Sequence, residues 1–185
     1  MKSRYEVLLD LVHKHKPQTI VEVGTWKGKN AIRMLQAARM YHDKPMYIGY
    51  DLFEDATEET DKLEFNVKAH HQMEDVRNKI TKHCPWAEVA LVKGNTNETL
   101  INVEADFAFI DGGHSIETIR NDYEALKNCK VIVFDDYYIP DEEGKCPDTS
   151  KVGCNEIVKD FKHDILRGDD RVIDGGIIAL AVVNG

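Results

Sequence analysis

Residues 19–34 read TIVEVGTWKGKNAIRM, and this stretch decides the fold. Residues 19–24 form a short run that is rich in β-branched side chains and closed by glycine, which is typical of a buried parallel strand. In residues 29–41 the apolar side chains recur at helical spacing. The face that they form comprises Ala31, Ile32, Leu35 and Ala38. The stretch therefore predicts a strand, a glycine-rich turn and a helix.

The rest of the chain alternates in the same way. An amphipathic helix with Val7, Leu11 and Val12 on one face precedes the first strand, and Pro17 ends it. Further strands are predicted to end at Asp51, Gly94, Asp111 and Asp136. Helices are predicted over residues 63–83, 116–128 and 155–166. Because each parallel crossover needs a covering helix, the pattern predicts an α/β protein, a Rossmann-like three-layer sandwich around a mostly parallel sheet.

The C-terminal stretch departs from this alternation. Residues 171–185, RVIDGGIIALAVVNG, contain two apolar runs separated by Asp174, Gly175 and Gly176, which is a hairpin signal. A hairpin reverses the chain, so the last strand is expected to be antiparallel inside the sheet. With the two hairpin strands, the predicted sheet has seven strands.

Composition excludes several classes of protein. The 185 residues include 33 acids and 24 bases, giving a net charge of −9, and no basic stripe offers a surface for nucleic acid. No apolar run approaches the length of a membrane span, and the N-terminal stretch lacks the apolar block of a signal peptide. We therefore expect a single cytoplasmic domain over residues 1–185, without nucleic-acid or membrane partners. The sequence leaves open whether the protein forms a homo-oligomer.

The four cysteines contain no CxxC pair, and reduced thiols are expected in a cytosolic protein. Cys146 and Cys154 share one loop-like stretch, KCPDTSKVGC, so a metal clip or a redox pair is the alternative there.

Ligands of an open α/β sheet bind outside the carboxyl ends of the strands, so the residues at these ends predict the site. After the first strand the sequence is EVGTWKG, in which Gly24 and Gly28 allow close approach of the backbone to a ligand. The next helix offers its N–H groups to an anion. The spacing E-x-G-x-x-x-G argues against a dinucleotide pyrophosphate. A turn that merely needs glycines is the alternative.

Two further strand ends carry polar side chains. Asp51 is placed to accept both hydroxyls of a ribose, although it is equally suited to cap a helix. Asn95 and Thr96 follow the third strand, where the amide of Asn95 is suited to a purine edge or to capping the next short helix. Together the three strand ends point to one nucleoside.

The string VEVGTWKGKNAIRM resembles the first motif of class I S-adenosylmethionine-dependent methyltransferases. Its Gly-Thr-Trp-x-Gly and Ala-Ile-Arg-Met segments are similar to catechol O-methyltransferase and its metal-dependent relatives, and the agreement extends in order over nearly the whole chain. The resemblance implies that Asp51 holds the ribose and that Asn95 and Thr96 lie beside adenine. The residues that it implies for the methionine part and the loop around it are Glu22, Gly24, Thr25, Trp26, Gly28 and Asn30.

Three acids are predicted to meet at neighbouring strand ends, because the strand in FAFIDGGHS ends at Asp111 and VIVFDDYY contains Asp135 and Asp136. Carboxylates this close repel one another, so a hard divalent ion, preferably Mg²⁺, is expected to neutralise them. The arrangement is similar to metal-dependent O-methyltransferases acting on catechols and to macrocin-type enzymes acting on sugars. In the alternative interpretation, Asp111 only contacts the cofactor and Asp136 only caps a loop.

His114 lies three residues beyond Asp111 and is the predicted general base. Catechol-type enzymes carry a lysine at that offset and some sugar-modifying relatives carry histidine, so the resemblance favours a sugar or another polyol as the small-molecule acceptor. Residues 137–152 are the predicted substrate loop, with Tyr137, Tyr138 and Ile139 as an acceptor wall, and residues 53–63 are the predicted lid. The competing functions are a non-catalytic nucleoside-binding module and a nicotinamide-dependent oxidoreductase.

Overall fold

The computed structural model describes residues 2–150, 152–172 and 175–184. The strands are β1 (Thr19–Val23), β2 (Met46–Asp51), β3 (Glu88–Lys93), β4 (Phe107–Ile110), β5 (Val131–Ile139), β6 (Asp164–Arg171) and β7 (Ile177–Asn184). The helices are α1 (Arg4–His15), α2 (Lys29–Ala38), α3 (Glu58–Leu63), α4 (Met73–His83), α5 (Thr96–Thr99), α6 (Ile116–Leu126) and α7 (Gly153–Val158), with a short 3₁₀ turn at Phe53–Asp55.

All seven strands form one sheet in the order β3-β2-β1-β4-β5-β7-β6. The first five strands pair in parallel, whereas β7 runs antiparallel to both β5 and β6. The predicted Rossmann-like fold, with an antiparallel last strand inside the sheet, is therefore confirmed. Asp174 of the predicted hairpin turn lies outside the described residues.

Both faces of the sheet are covered, which explains why β1 is buried along almost its whole length. On one face α1, α2 and α4 pack in a core that includes Leu11, Leu35 and Ile80. On the other face α6 and α7 pack in a second core that includes Leu126 and Ile157. Neither layer of helices covers the ends of the strands, so these ends are where a ligand site is expected.

Helix α1 begins with a capping box, in which the Ser3 side chain accepts from the backbone N–H of Glu6 and the Glu6 side chain accepts from the N–H of Ser3. Its first turn lies against the edge of the sheet, since the backbone N–H of Arg4 donates to the carboxylate of Asp170 on β6 at a distance of 2.5 Å. The N-terminal residues therefore reach the same end of the sheet as the last strands.

Three predicted boundaries are wrong. The helix predicted over residues 63–83 is two helices, α3 and α4, with residues 64–72 between them in non-helical backbone. The helix predicted over residues 155–166 ends at Val158, and Asp164 begins β6 instead. Strand β5 continues to Ile139 rather than ending at Asp136, because residues 137–139 pair with β7. Among the described residues, no helix has the length and apolar character needed to cross a membrane.

Candidate active site

A cleft of about 490 Å³ lies at the carboxyl ends of the parallel strands. It collects side chains from the loops after β1, β2, β3 and β4, together with the first turn of α1 and residues of the segment 60–71. The predicted site residues on its wall are Gly24, Thr25, Trp26, Asn30, Asp51, Asn95, Thr96, Asp111 and His114. The topology therefore brings most of the predicted site together.

Gly24 is required at the end of β1 by the close approach of β4. Its φ of +87° is in the region that favours glycine, and a Cβ added there would lie 2.1 Å from the backbone oxygen of Asp111. The narrow contact between these two strand ends forms the floor of the cleft.

Asp51 fixes two loops around the cleft. Its Oδ2 accepts from the backbone N–H of Trp26 at 2.7 Å, and its Oδ1 accepts from the N–H of Phe53 at 2.8 Å. Each carboxylate oxygen has a second lone pair, so Asp51 can accept from a ligand hydroxyl while it holds both loops.

Glu22 and Gly28 are not on the cleft wall. Glu22 is buried below it, where the Tyr47 hydroxyl donates to its Oε2, and burial raises the pKa of Glu22 to about 8. Gly28 is the N-cap of α2 and faces Ile80 and Val76. Both residues support the loop after β1 from the protein interior.

Asn95 uses its side-chain oxygen to cap α5, where it accepts from the backbone N–H of Asn97 at 3.0 Å. The capping role that the sequence left open is therefore present. The side-chain amide nitrogen has no other use among the described residues, and it remains able to donate to a ligand.

The three predicted acids meet between the ends of β4 and β5. Together with His114 they line a small internal cavity of about 10 Å³, close to the volume that one water needs. The Oδ1 of Asp111 and the Oδ2 of Asp135 are buried there without a hydrogen-bond partner in the described part of the chain. Burial and the charges of Asp135 and Asp136 raise the pKa of Asp111 well above its usual value, which favours its protonated form.

Arg4 neutralises the acidic pair, and sequence reasoning missed it. Its Nε donates to Asp135 Oδ1 at 2.7 Å, and one terminal nitrogen lies 3.7 Å from Asp136 Oδ1. The other terminal nitrogen donates to Asp170 Oδ1 at 3.1 Å. Within residues 2–150, 152–172 and 175–184, no group of three or more His, Cys, Asp or Glu side chains is arranged to hold a metal ion.

His114 connects the cleft to the acids. It lines the cleft, and its Nδ1 lies 3.3 Å from Asp136 Oδ2. Asp136 has a φ of +54°, where the pairing of β5 with β7 is irregular between Phe134 and Tyr137. A left-handed backbone at a residue other than glycine costs free energy and recurs at functional sites. Here it lets Asp135 and Asp136 present their carboxylates to Arg4 and His114.

Glu64 links the segment 60–71, which lines the cleft, to the loop that carries His114. Its Oε2 accepts from the backbone N–H groups of His114 and Ser115, both at 2.9 Å. Its Oε1 accepts from the hydroxyls of Ser115 at 3.1 Å and Thr118 at 2.6 Å. A glutamate therefore closes the first turn of α6, a favourable place for an anion.

The predicted lid covers residues 53–63. The segment 60–71, which lines the cleft, extends beyond it to residue 71. Trp26 Nε1 donates to the backbone oxygen of Ala69 at 2.8 Å, and the rings of Trp26 and His71 lie 5.9 Å apart. Phe65 and Val67 expose 60% and 97% of their surface, so the outer side of the segment is apolar and open to solvent.

The predicted substrate loop lies elsewhere. Tyr137, Tyr138 and Ile139 belong to β5 and are absent from the cleft wall that the described residues form. Tyr138 is held by Asn155, whose side chain bonds to both its N–H and its carbonyl oxygen. Cys146 is exposed and Cys154 is buried, and both are free thiols.

A family model described as "Methyltransferase domain" matches residues 21–137. The matched part begins in β1 and ends in β5, so it includes the strand ends that form the cleft and the acidic pair. No curated protein matches the chain significantly.

Solved structures share the fold at low sequence identity. The O-methyltransferase from Bacillus cereus in complex with SAH is 16% identical, with a TM-score of 0.63 over 98% of this chain and 80% of that one. CalS11, a calicheamicin methyltransferase, is 14% identical, with a TM-score of 0.63 over 96% of this chain and 77% of that one. TomG from Streptomyces achromogenes, an O-methyltransferase of tomaymycin synthesis in complex with SAM, is 14% identical, with a TM-score of 0.60 over 98% and 79%.

Proposed function

The chain belongs to a family of methyltransferase domains, and we propose that it transfers a methyl group from S-adenosylmethionine to a hydroxyl of a small-molecule acceptor in the cytoplasm. The observation that carries this proposal is the position of His114 on the cleft wall with Nδ1 3.3 Å from Asp136 Oδ2. A histidine oriented by a carboxylate is the usual device for removing a proton from a hydroxyl.

The size and chemistry of the cleft support S-adenosylmethionine as the cofactor. A volume of about 490 Å³ is within the range of about 300–1,000 Å³ that small-molecule sites usually have. Asp51 offers acceptor oxygens to the ribose, and Asn95 offers an amide nitrogen to the adenine. Helix α2 begins without a side-chain cap, so its first N–H groups are available to the carboxylate of the methionine part.

When bound, S-adenosylmethionine supplies an electrophilic methyl group. The chain's own residues prepare the acceptor. If Nδ1 of His114 donates to Asp136, Nε2 is the basic nitrogen, and it removes the proton of an acceptor hydroxyl bound in the cleft. Glu64 holds the backbone of His114, so the ring stays at the wall of the cleft.

A sugar or another polyol is the acceptor class that we propose. In support, Thr60, Asn66 and Lys68 also line the cleft, and their polar atoms suit a ligand with several hydroxyls. The position three residues after Asp111 carries histidine, as in some of the sugar-modifying enzymes that the sequence resembles.

The sequence also predicts Mg²⁺ at Asp111, Asp135 and Asp136. These acids do meet, but Arg4 already pairs with Asp135 at 2.7 Å, and the cavity among them measures about 10 Å³. Mg²⁺ usually keeps several waters in an octahedral shell. The residues present therefore do not fit a hydrated ion, and no step of the mechanism involves one.

The decisive experiment is a screen for methyl transfer from S-adenosylmethionine to sugars, polyols, catechols and small acids. Transfer to a sugar or polyol supports the proposal, and transfer to none of the hydroxyl compounds contradicts it. Thermal shifts with S-adenosylhomocysteine, S-adenosylmethionine and NAD complete the test, because a ligand that binds the native state raises the midpoint. A shift with S-adenosylmethionine in the absence of any turnover identifies a non-catalytic binding module, and a shift with NAD alone identifies an oxidoreductase.

A further inference from the structure

We propose that Arg4 is the resident cation of this site, that its guanidinium stands where a divalent ion would otherwise be needed, and that it positions His114 through Asp136. The proposal describes how the site is held for the methyl transfer proposed above. Its central test, however, measures metal binding and does not require any turnover.

Arg4 supplies a positive charge to the acids of the site. The side chain of Arg4 is 13% exposed, that of Asp135 is 1% exposed and that of Asp136 is 16% exposed, so water screens these ions little. Two carboxylates this close would repel each other without a cation between them. The guanidinium supplies that charge, at 2.7 Å from Asp135 and 3.7 Å from Asp136.

Every nitrogen of the guanidinium is used. Nε donates to Asp135, one terminal nitrogen donates to Asp170 at 3.1 Å, and the other donates to the Tyr5 hydroxyl at 3.0 Å and faces Asp136. The backbone N–H of Arg4 donates to the same Asp170. A planar fork with five donors can make these contacts together, whereas a lysine ammonium is a single point charge. Arg4 is therefore built into the site as a bridging group.

A metal ion and Arg4 compete for the same oxygens. Asp135 Oδ1 is committed to Arg4, and its Oδ2 is buried without a hydrogen-bond partner among the described residues. The cavity that Asp135 lines measures about 10 Å³, room for about one water. A divalent ion placed there would stand close to the guanidinium, and the two cations would repel each other. The acid cluster can bind a metal ion well only when Arg4 is removed.

Asp136 lies between Arg4 and His114, the proposed general base. Its Oδ1 faces Arg4, and its Oδ2 faces Nδ1 of His114 at 3.3 Å. One carboxylate is thus held between the guanidinium and the imidazole, on a backbone with a φ of +54°. Arg4 is a positioning residue in this arrangement, since it orients His114 through Asp136.

The test is a Mn²⁺ titration followed by electron paramagnetic resonance, on wild type, Arg4→Ala and the control Lys2→Ala. Lys2 is a suitable control because it is the neighbouring cation of the same N-terminal stretch and forms an exposed pair with Asp10. We expect no stoichiometric Mn²⁺ site in wild type or Lys2→Ala, and one site in Arg4→Ala that Asp135→Asn abolishes. One Mn²⁺ bound per wild-type chain and lost in Asp135→Asn would overturn the proposal.

Turnover gives a second readout once an acceptor is known. We expect wild type to keep its activity in excess chelator, and Arg4→Ala to lose about a hundredfold or more in kcat, as when a positioned base is lost. The Kd of S-adenosylmethionine should stay within about twofold, and added guanidinium should restore part of kcat. Loss of wild-type activity in chelator, or an equal loss of cofactor binding in Arg4→Ala, contradicts the proposal. If no acceptor is ever methylated, the Mn²⁺ titration still decides the identity of the cation.

Discussion

The Nδ1 atom of His114 lies 3.3 Å from Oδ2 of Asp136, although the two residues follow different strands, β4 and β5. The parallel pairing of these strands brings their ends together, and the irregular backbone at Asp136 turns its carboxylate toward the ring. This relationship is the basis on which we propose His114 as the general base.

We therefore expect His114→Ala to lower kcat by about 10²–10⁴-fold, the usual contribution of a positioned base. Because His114 is proposed to act on the acceptor, the Kd of S-adenosylmethionine should stay within about twofold by calorimetry. His83→Ala is the matched control, since His83 is exposed in the last turn of α4 and is not among the residues that line the cleft. A His114→Ala enzyme as fast as wild type would remove His114 from the chemistry.

Asp51→Ala is expected to weaken S-adenosylmethionine binding at least tenfold. The change removes acceptors for the ribose and releases the N–H groups of Trp26 and Phe53, and hydrogen bonds to a charged group contribute about 1.5–3 kcal/mol. Calorimetry on the folded variant measures the change. Affinity equal to that of wild type would place the ribose elsewhere.

Gly24→Ala should abolish cofactor binding or prevent folding, because its Cβ would lie 2.1 Å from a backbone oxygen that cannot move away cheaply. Gly144→Ala is the matched control, since Gly144 also has a positive φ, +78°, but has nothing within 4 Å of the added carbon. Thermal denaturation with and without S-adenosylhomocysteine compares the two. Similar behaviour of both variants would show that backbone strain, and not the contact with Asp111, is the cost.

Glu64→Ala should detach the segment 60–71 from the loop that carries His114. Four hydrogen bonds are lost, so we expect a loss of about 1–3 kcal/mol in the free energy of unfolding and a higher KM for the acceptor. Glu59→Ala, an exposed change in helix α3, of which Glu64 is the C-cap, is the control. Denaturant unfolding and steady-state kinetics test both effects, and an unchanged KM would argue that the segment does not order the acceptor site.

Asp122 predicts a pH dependence of stability. Burial raises the pKa of Asp122 to about 7, whereas an aspartate in the unfolded chain titrates near 3.9. Between these values the native state holds a proton that the unfolded state has lost, so this contribution to stability is full below pH 4 and is lost as the pH rises to about 7. Asp122→Asn removes the titration.

The free energy of unfolding of Asp122→Asn, relative to wild type, should therefore rise between pH 4.5 and pH 8 by roughly 2–4 kcal/mol. Urea denaturation at both pH values measures it. Glu22 titrates in both proteins, so its effect cancels in the difference. Parallel stability curves for the two proteins would show that Asp122 is not protonated in the native state.

The parallel half of the fold was predictable because its central strands, β1 and β4, are buried on both faces and its helices carry regular apolar stripes. Strand β6 was not predictable in the same way. Most of its residues are exposed or half-buried, and it exists because its backbone pairs with β7 at the edge of the sheet. Segment 64–72 was likewise assigned to a helix, but Phe65 has a φ of +55° and Asn66 bonds back to Asp61. Tertiary contacts override helix propensity there.

The candidate site followed from the strand ends, since topology alone brings Asp51, Asp111 and Asp136 to one edge of the sheet. Arg4 could not be found this way, because it lies in the first turn of α1 and no regular spacing in the sequence relates it to Asp135 or Asp136. The crowding of acids predicted a divalent ion, whereas the described residues place Arg4 beside Asp135. The sequence offered no means to choose between a metal ion and a distant arginine.

The N–H bond from Arg4 to Asp170 spans 166 residues of sequence, and the bond from Arg4 to Asp135 spans 131. During synthesis on a ribosome, Arg4 is made before both acids, so neither contact can form until the strands that carry Asp135 and Asp170 have been made. Strand β5 also lacks its neighbour on one side until β7 has been made. The nascent protein thus passes through a stage in which the first strands can pair while the contacts of Arg4 with Asp170 are still missing. Contacts at such sequence separation form slowly, so we expect catalytic competence to arise at the last step of folding, after the sheet has closed around β7.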